Sequence, residues 1–162
     1  MVTAPESPRS MYSAPRLLTT LASPLRLLPT LSHIHALATE LNQVMKDALT
    51  HGDLDFLKGR TVGIEINDLR IRYRLGLSGG RIRGFGEGAP ADATVSGGLH
   101  EFLLLAARRE DADTLFFQRR LRMSGDTELG LHLKNFLDAF EPPPRVAPLI
   151  RALDRLLGRG GP

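Results

Sequence analysis

The apolar positions of this chain change period several times, and each change predicts a different element. Over residues 32–51, Ile34, Leu37, Ala38, Leu41, Met45, Ala48 and Leu49 recur at i, i+3 and i+4. That is one face of a helix, and Gly52 stands where its C-terminal cap belongs. The period then drops to two. Residues 60–66 predict a short strand and Asn67-Asp68 a turn. Residues 69–77 predict a second strand, with Leu69, Ile71, Tyr73, Leu75 and Leu77 on one side and Arg70, Arg72 and Arg74 on the other. Ser78-Gly79-Gly80 turns the chain into a strand over 81–87, Gly88-Ala89-Pro90 breaks it, and 93–96 predict a fourth strand. One charged face means a sheet covered on one side only, so this region reads as an antiparallel meander.

Helical spacing returns after Gly97-Gly98. Leu99, Phe102, Leu103 and Ala106 form a stripe, and Leu104, Leu105 and Ala107 widen it beyond what a singly covered helix requires. Arg108-Arg109-Glu110-Asp111 ends that helix in solvent. Phe116-Phe117 then lead into a fifth strand over 118–124, a turn at Gly125 and a helix over 126–141 striped by Leu129, Leu133, Phe136, Leu137 and Phe140. The expected fold class is therefore α+β: a five-stranded, mainly antiparallel sheet covered on one face by helices.

Both ends add amphipathic segments. Residues 1–31 read as a proline-containing flexible tail followed by a short helix over 16–28 carrying Leu17, Leu21, Leu25 and Leu28 beside Arg16 and Arg26. The domain proper spans 32–141. Residues 142–162 form a stiff proline linker and a last helix with Val146, Leu149, Ile150, Leu153, Leu156 and Leu157 beside Arg145, Arg151 and Arg155. Each terminal helix fits equally a helix docked on the core and one lying in a membrane interface, drawn there by anionic head groups.

Composition narrows the chemistry. With 162 residues, 42% of them hydrophobic, the chain has one domain's worth of core. No cysteine is present, which excludes disulfides, thiolate metal sites and cysteine nucleophiles. The net charge of +3 is carried by arginine, since Lys46, Lys58 and Lys134 are the only lysines among 21 basic residues. A codon bias toward arginine explains that as well as a nucleic-acid partner does. No apolar run reaches the ~20 residues of a membrane span, and the start of the chain lacks the pattern of a secretory signal. Its Ser-, Thr-, Pro- and Arg-rich composition is only weakly like an organellar transit peptide.

Three chemistries compete for residues 113–141. Asp126 and Glu128 fall in the first turn of a helix, where carboxylates cap backbone N–H groups. Their one local candidate partner, His132, makes no catalytic spacing with them. His33 and His35 lie two apart, on different helix faces, and read as surface or capping residues. The arginines at 70, 72, 74, 81, 83, 119, 120 and 122 suggest an RNA-binding sheet face, but such faces need stacking aromatics, and Tyr73 alternates to the opposite side. What remains is apolar. Phe102, Leu103, Ala106, Phe116, Phe117, Leu121, Met123, Leu129, Leu133, Phe136, Leu137 and Phe140 are expected to converge. An ordinary core and a lipid pocket both use such a set, and the surplus on the helix over 99–107 favours the pocket.

The order of helix, four strands, helix, strand, Gly-Asp turn and helix resembles the sterol-carrier-protein-type lipid-binding domain. Leu121-Arg122-Met123-Ser124-Gly125-Asp126 is the hallmark piece. More narrowly, LLLAARREDADTLFFQRRLRMSGDTELGLHLKNFLDAFE resembles the UbiT-type accessory factors of oxygen-independent ubiquinone biosynthesis. Asp53-Leu54-Asp55-Phe56-Leu57-Lys58-Gly59-Arg60 supports the match upstream. The resemblance covers roughly 30–141. It implies a non-catalytic, cytoplasmic protein, peripheral at the inner membrane, that needs no cofactor. Its expected ligands are isoprenoid quinone precursors or phospholipid, and its expected partners a pair of iron–sulfur hydroxylases of the anaerobic pathway. Nucleic acid is not expected.

Overall fold

A computed structural model describes residues 30–86 and 88–158. The helix expected over 16–28 lies outside them. Among the described residues six α-helices and five strands follow in the order α1 (Thr30–Val44), α2 (Lys46–His51), β1 (Thr61–Ile66), β2 (Ile71–Ser78), β3 (Arg81–Phe85), β4 (Ala93–Gly97), α3 (Leu99–Ala106), α4 (Ala112–Phe117), β5 (Arg122–Gly125), α5 (Thr127–Ala139) and α6 (Ala147–Gly158). The helix expected over 32–51 is broken at Met45 into α1 and α2. Gly52, in the left-handed region at φ 81°, closes α2 as its sequence position suggested.

The sheet is mixed. Its order is β3-β2-β1-β4-β5, with β1 and β4 parallel and every other pair antiparallel. The meander expectation is therefore corrected at β4, which does not follow β3 in space but crosses over to lie beside β1. Parallel pairing requires such a crossover, and the loop after β3 provides it. Register places Val62, Ile64, Tyr73, Leu75, Ala93 and Val95 on one face and Glu65, Arg72, Arg74, Arg83, Phe85 and Thr94 on the other. The first face carries the core. Ile34 and Ala38 of α1 are buried in one cluster with Ile71, Tyr73, Leu75 and Ile82. Asn42 of α1 also completes the edge strand β3, its amide donating to the Ile82 carbonyl at 2.8 Å and accepting from the Ile82 N–H at 2.9 Å. Nearby, His33 is not the surface histidine expected. It is half-buried, with Nδ1 2.8 Å from the Tyr73 hydroxyl.

The largest departure lies at the two adjacent phenylalanines. Residues 112–117 are helical, and the strand expected over 118–124 shrinks to Arg122–Gly125. Asp111 is the cause: its carboxylate accepts from the Thr114 N–H at 2.7 Å and the Thr114 hydroxyl at 2.9 Å, which caps a new helix at once. That helix stops at Arg119, which adopts the left-handed region at φ 58°, and the N–H groups of Arg120 and Leu121 both reach back to the Leu115 carbonyl. The closing pattern is of the kind glycine usually provides. Because successive helical residues are turned by about 100°, Phe116 points inward while Phe117 is 90% exposed.

β5 leads into α5 through Gly125 at φ 91°, where an added Cβ would lie 2.4 Å from the Asp92 carbonyl oxygen. Gly125→Ala is accordingly expected to lower Tm by at least 5 °C, read by thermal denaturation, since both a forbidden φ and a backbone clash result. At the other end, Leu153 and Leu157 of α6 pack on Leu103, Leu104 and Ala107 of the α3 region, so this terminal helix docks on the core. Leu149 and Leu156 remain exposed on its far side. Among the described residues no helix is long and apolar enough to cross a membrane.

Candidate functional site

α5 is held at its start by Asp126, whose carboxylate accepts from the Leu129 N–H at 2.8 Å and from the Arg60 guanidinium at 2.6 Å. The Leu129 N–H first, and Arg60 after it, keep the Asp126 carboxyl below the usual carboxylate range. A group so engaged is a cap and an ion-pair partner, poorly poised to accept a proton at neutral pH. Asp92 and Asp111 are lowered in the same way by Thr61 and Thr114. For all three the folded pKa lies below the unfolded one. Their stabilisation is therefore complete above the ordinary carboxylate value near ~4 and is lost as pH falls further. Tm is expected to be flat between about pH 5 and 8 and to drop below about pH 4, with a shallower drop in Asp126→Asn.

Two open clefts flank α5. The first, about 670 Å³, has Phe116, Leu121, Met123, Gly130 and Leu131 among its lining, with Arg119, Arg122 and Lys134 around them. Gly130 matters here: a Cβ at this position would come within 2.9 Å of the Met123 side chain, so glycine lets β5 and α5 approach over the cleft floor. Lys134 is paired with Asp113 at 2.8 Å and Asp138 at 3.4 Å, and Asp113 foremost raises its pKa. The second cleft, about 520 Å³, contains Phe56, His132, Phe136 and Phe140, with Asp47, His51 and Asp53 also in its wall. His132 stacks on Phe56 at 5.9 Å with planes 18° apart, and its Nδ1 lies 3.0 Å from the Glu128 carbonyl.

The twelve apolar residues expected to meet are thus divided, which corrects the expectation of a single convergence. Phe116, Leu121 and Met123 share the first cleft, and Phe136 and Phe140 share the second. Leu129 is buried on the inner side of α5, and Leu133 packs against both core clusters. Phe102 packs on the buried set of Val95, Leu115 and Leu121. Leu103 is taken by α6, Leu137 is half-buried, and Ala106 and Phe117 face solvent. The helical state of 112–117 puts Phe117 in solvent, which a strand reading of Phe116-Phe117 does not anticipate, while Phe136 and Phe140 are drawn to Phe56 and Leu103 to α6. Sequence reasoning also missed Phe56, although it stands in the quoted Asp53–Arg60 run.

The arginines do not all face outward. Arg120 is only 10% exposed, with Nη1 2.6 Å from Glu110 and Nε 3.7 Å from Glu101, itself 4% exposed. Arg72 and Arg83 do lie on the open sheet face, while Arg74 is half-buried, donates to the Ala89 carbonyl and sits 5.6 Å above the Phe85 ring. Phe85 is an aromatic on the basic face, and Arg74 already covers it. For an apolar ligand held in either cleft, replacing Arg72, Arg74 and Arg83 together with glutamine is expected to leave binding unchanged. A nucleic-acid ligand would instead bind with a steep salt dependence and lose affinity with each arginine removed, which a titration with generic RNA at physiological salt reads directly.

Comparison with known proteins agrees with this architecture. The model of the SCP-2 sterol transfer family matches residues 38–138. The ubiquinone biosynthesis accessory factor UbiT of Escherichia coli (strain K12) is 39% identical over 121 residues, which is 75% of this chain and 69% of UbiT. Among solved structures, the ubiquinone synthesis protein UbiJ-SCP2 superposes with a TM-score of 0.52 at 19% identity, covering 64% of this chain and 90% of that one. Sterol carrier protein domain 2 of Helicoverpa armigera does so with a TM-score of 0.51 at 15% identity, covering 63% and 83%. At those identities the two structures speak for the fold alone.

Proposed function

We propose, from the premise that the chain belongs to the SCP-2 sterol transfer family and is a homologue of the UbiT accessory factors of ubiquinone biosynthesis, that it binds a prenylated quinone precursor or a phospholipid and presents it to other enzymes. It performs no chemistry of its own in this reading. The consumers are hydroxylases of the oxygen-independent pathway, and the site of action is the cytoplasmic side of the inner membrane. Residues 32–141 are the binding unit.

The observation that carries the proposal is the first cleft. Its volume of about 670 Å³ falls in the range of small-molecule sites, and its apolar surface comes from the half-buried Phe116 and Met123 and the exposed Leu131, with the buried Leu121 beneath them. Burial contributes about 0.8 kcal/mol per CH₂, so each five-carbon prenyl unit gains roughly 3–4 kcal/mol relative to water. A bilayer offers the same tail nearly the same gain. A site open to solvent on one side therefore exchanges its ligand with membranes and does not trap it, which is what presentation requires.

Solvent extraction of the purified protein, followed by mass spectrometry, tests this reading. A stoichiometric isoprenoid quinone precursor or phospholipid is expected. An extract free of lipid, together with no binding of added quinone analogues, would refute it.

A further inference from the structure

Beside the first cleft the chain exposes a phenylalanine that the fold does not use. Phe117 is 90% exposed, although its neighbours are firmly held: Leu115 is fully buried, Leu121 is 1% exposed, and Arg120 is clamped by Glu101 and Glu110. The corner between α4 and β5 is thus anchored from within while Phe117 and Arg119 project from it. Leu131, 55% exposed, adds a second apolar residue on the cleft's wall. Arg119 and Arg122, both exposed, supply positive charge. Asp126, the acid in the cleft's lining, is already paired with Arg60, and the lining's Lys134 is paired with Asp113.

We infer that this corner, Phe117 with Arg119 and Arg122, is the surface by which the protein docks on an anionic phospholipid bilayer, with the cleft's mouth beside it. The inference rests on the lipid-binding reading above and adds the partner with which the site exchanges its ligand. Size decides between a bilayer and a protein as the occupant. One phenylalanine and one leucine flanked by two arginines make a patch far smaller than the ~800 Å² per partner of a stable protein interface. A membrane interface, in contrast, needs only a few inserted apolar side chains and basic residues at head-group depth. An exposed phenyl ring and two exposed arginines within six residues of one anchored corner meet that need.

The chain contains no tryptophan, so Phe117→Trp introduces a unique fluorescent reporter. With full-length protein and phosphatidylcholine vesicles containing phosphatidylglycerol, its emission is expected to shift to the blue and to be quenched by brominated acyl chains. Vesicles of phosphatidylcholine alone should give a much smaller change. Phe117→Ser should weaken co-sedimentation about tenfold, and Arg119→Gln and Arg122→Gln about fivefold each, with the arginine effects fading at high salt. Unshifted, unquenched emission at position 117 would overturn the inference, as would wild-type co-sedimentation by Phe117→Ser. Those outcomes would assign docking to the terminal segments or to a protein partner. Lipid in the solvent extract without vesicle binding removes this inference alone. Vesicle binding with a lipid-free extract and no binding of added quinone analogues removes the reading it rests on.

Discussion

Met123→Trp is expected to weaken binding of a prenylated quinone analogue by roughly one to two orders of magnitude. Met123 lies half-buried on β5, its side chain over Gly130 on the floor of the larger cleft. An indole there occupies space that the tail would fill. Displacing even part of one prenyl unit forfeits a few kcal/mol, since each CH₂ contributes about 0.8. The matching change on the other side of α5, Phe140→Trp, alters the smaller cleft and should leave affinity within about threefold, because by this account the tail does not reach there. Titration followed by fluorescence of the analogue separates the two. The reverse pattern, with Phe140→Trp damaging and Met123→Trp silent, would move the ligand to the cleft formed by Phe56, Phe136 and Phe140.

Arg120→Leu should have the largest effect on stability. Removing the guanidinium leaves Glu101, 4% exposed, as a buried carboxylate without its cation, and breaking one side of a buried pair costs about 3–5 kcal/mol. In a domain of this size that is a fall in Tm of about 6–15 °C. Two controls make the cause legible. Arg122→Leu removes an exposed arginine two residues away and should shift Tm by no more than about 2 °C. Adding Glu101→Gln to Arg120→Leu should restore much of the loss, because the uncompensated charge is then gone. A loss in Arg120→Leu no greater than in Arg122→Leu would show that the buried cluster contributes nothing.

Periodicity made most of the fold legible, and it failed where pairing is decided at long range or where a cap interrupts the pattern. The alternation of Leu69, Ile71, Tyr73 and Leu75 against Arg70 and Arg72 identified β2 and its buried face correctly, because a sheet residue's exposure follows its parity. The cap at Asp126 was legible because N-capping is local. The partner of β4 was not, since a run of five residues reads the same beside β1 as beside β3, and only the crossover decides. Residues 112–117 were misread because Arg108-Arg109-Glu110-Asp111 looks like solvent-facing punctuation. Asp111 is in fact the N-cap of α4, and the Asp-x-x-Thr spacing was the local signal. The same misreading set Arg120 in solvent, whereas its partners Glu101 and Glu110 stand 19 and 10 residues away on separate segments. The candidate site inherited that error. Its Phe117 faces solvent because of the helix and turn at 112–119, and its Phe136, Phe140 and Leu103 are taken by partners distant in sequence, Phe56 and α6.

The central claim is that the larger cleft holds the prenyl tail, and photo-crosslinking tests it most directly. A prenylated phenol carrying a diazirine near the end of its tail would be irradiated with the full-length protein, digested and mapped by mass spectrometry. The expected labels fall on Phe116, Met123 and Leu131, disappear on competition with unlabelled analogue, and are absent in Met123→Trp. Labelling confined to Phe56, Phe136 and Phe140, or labelling that unlabelled analogue does not compete away, would contradict the claim.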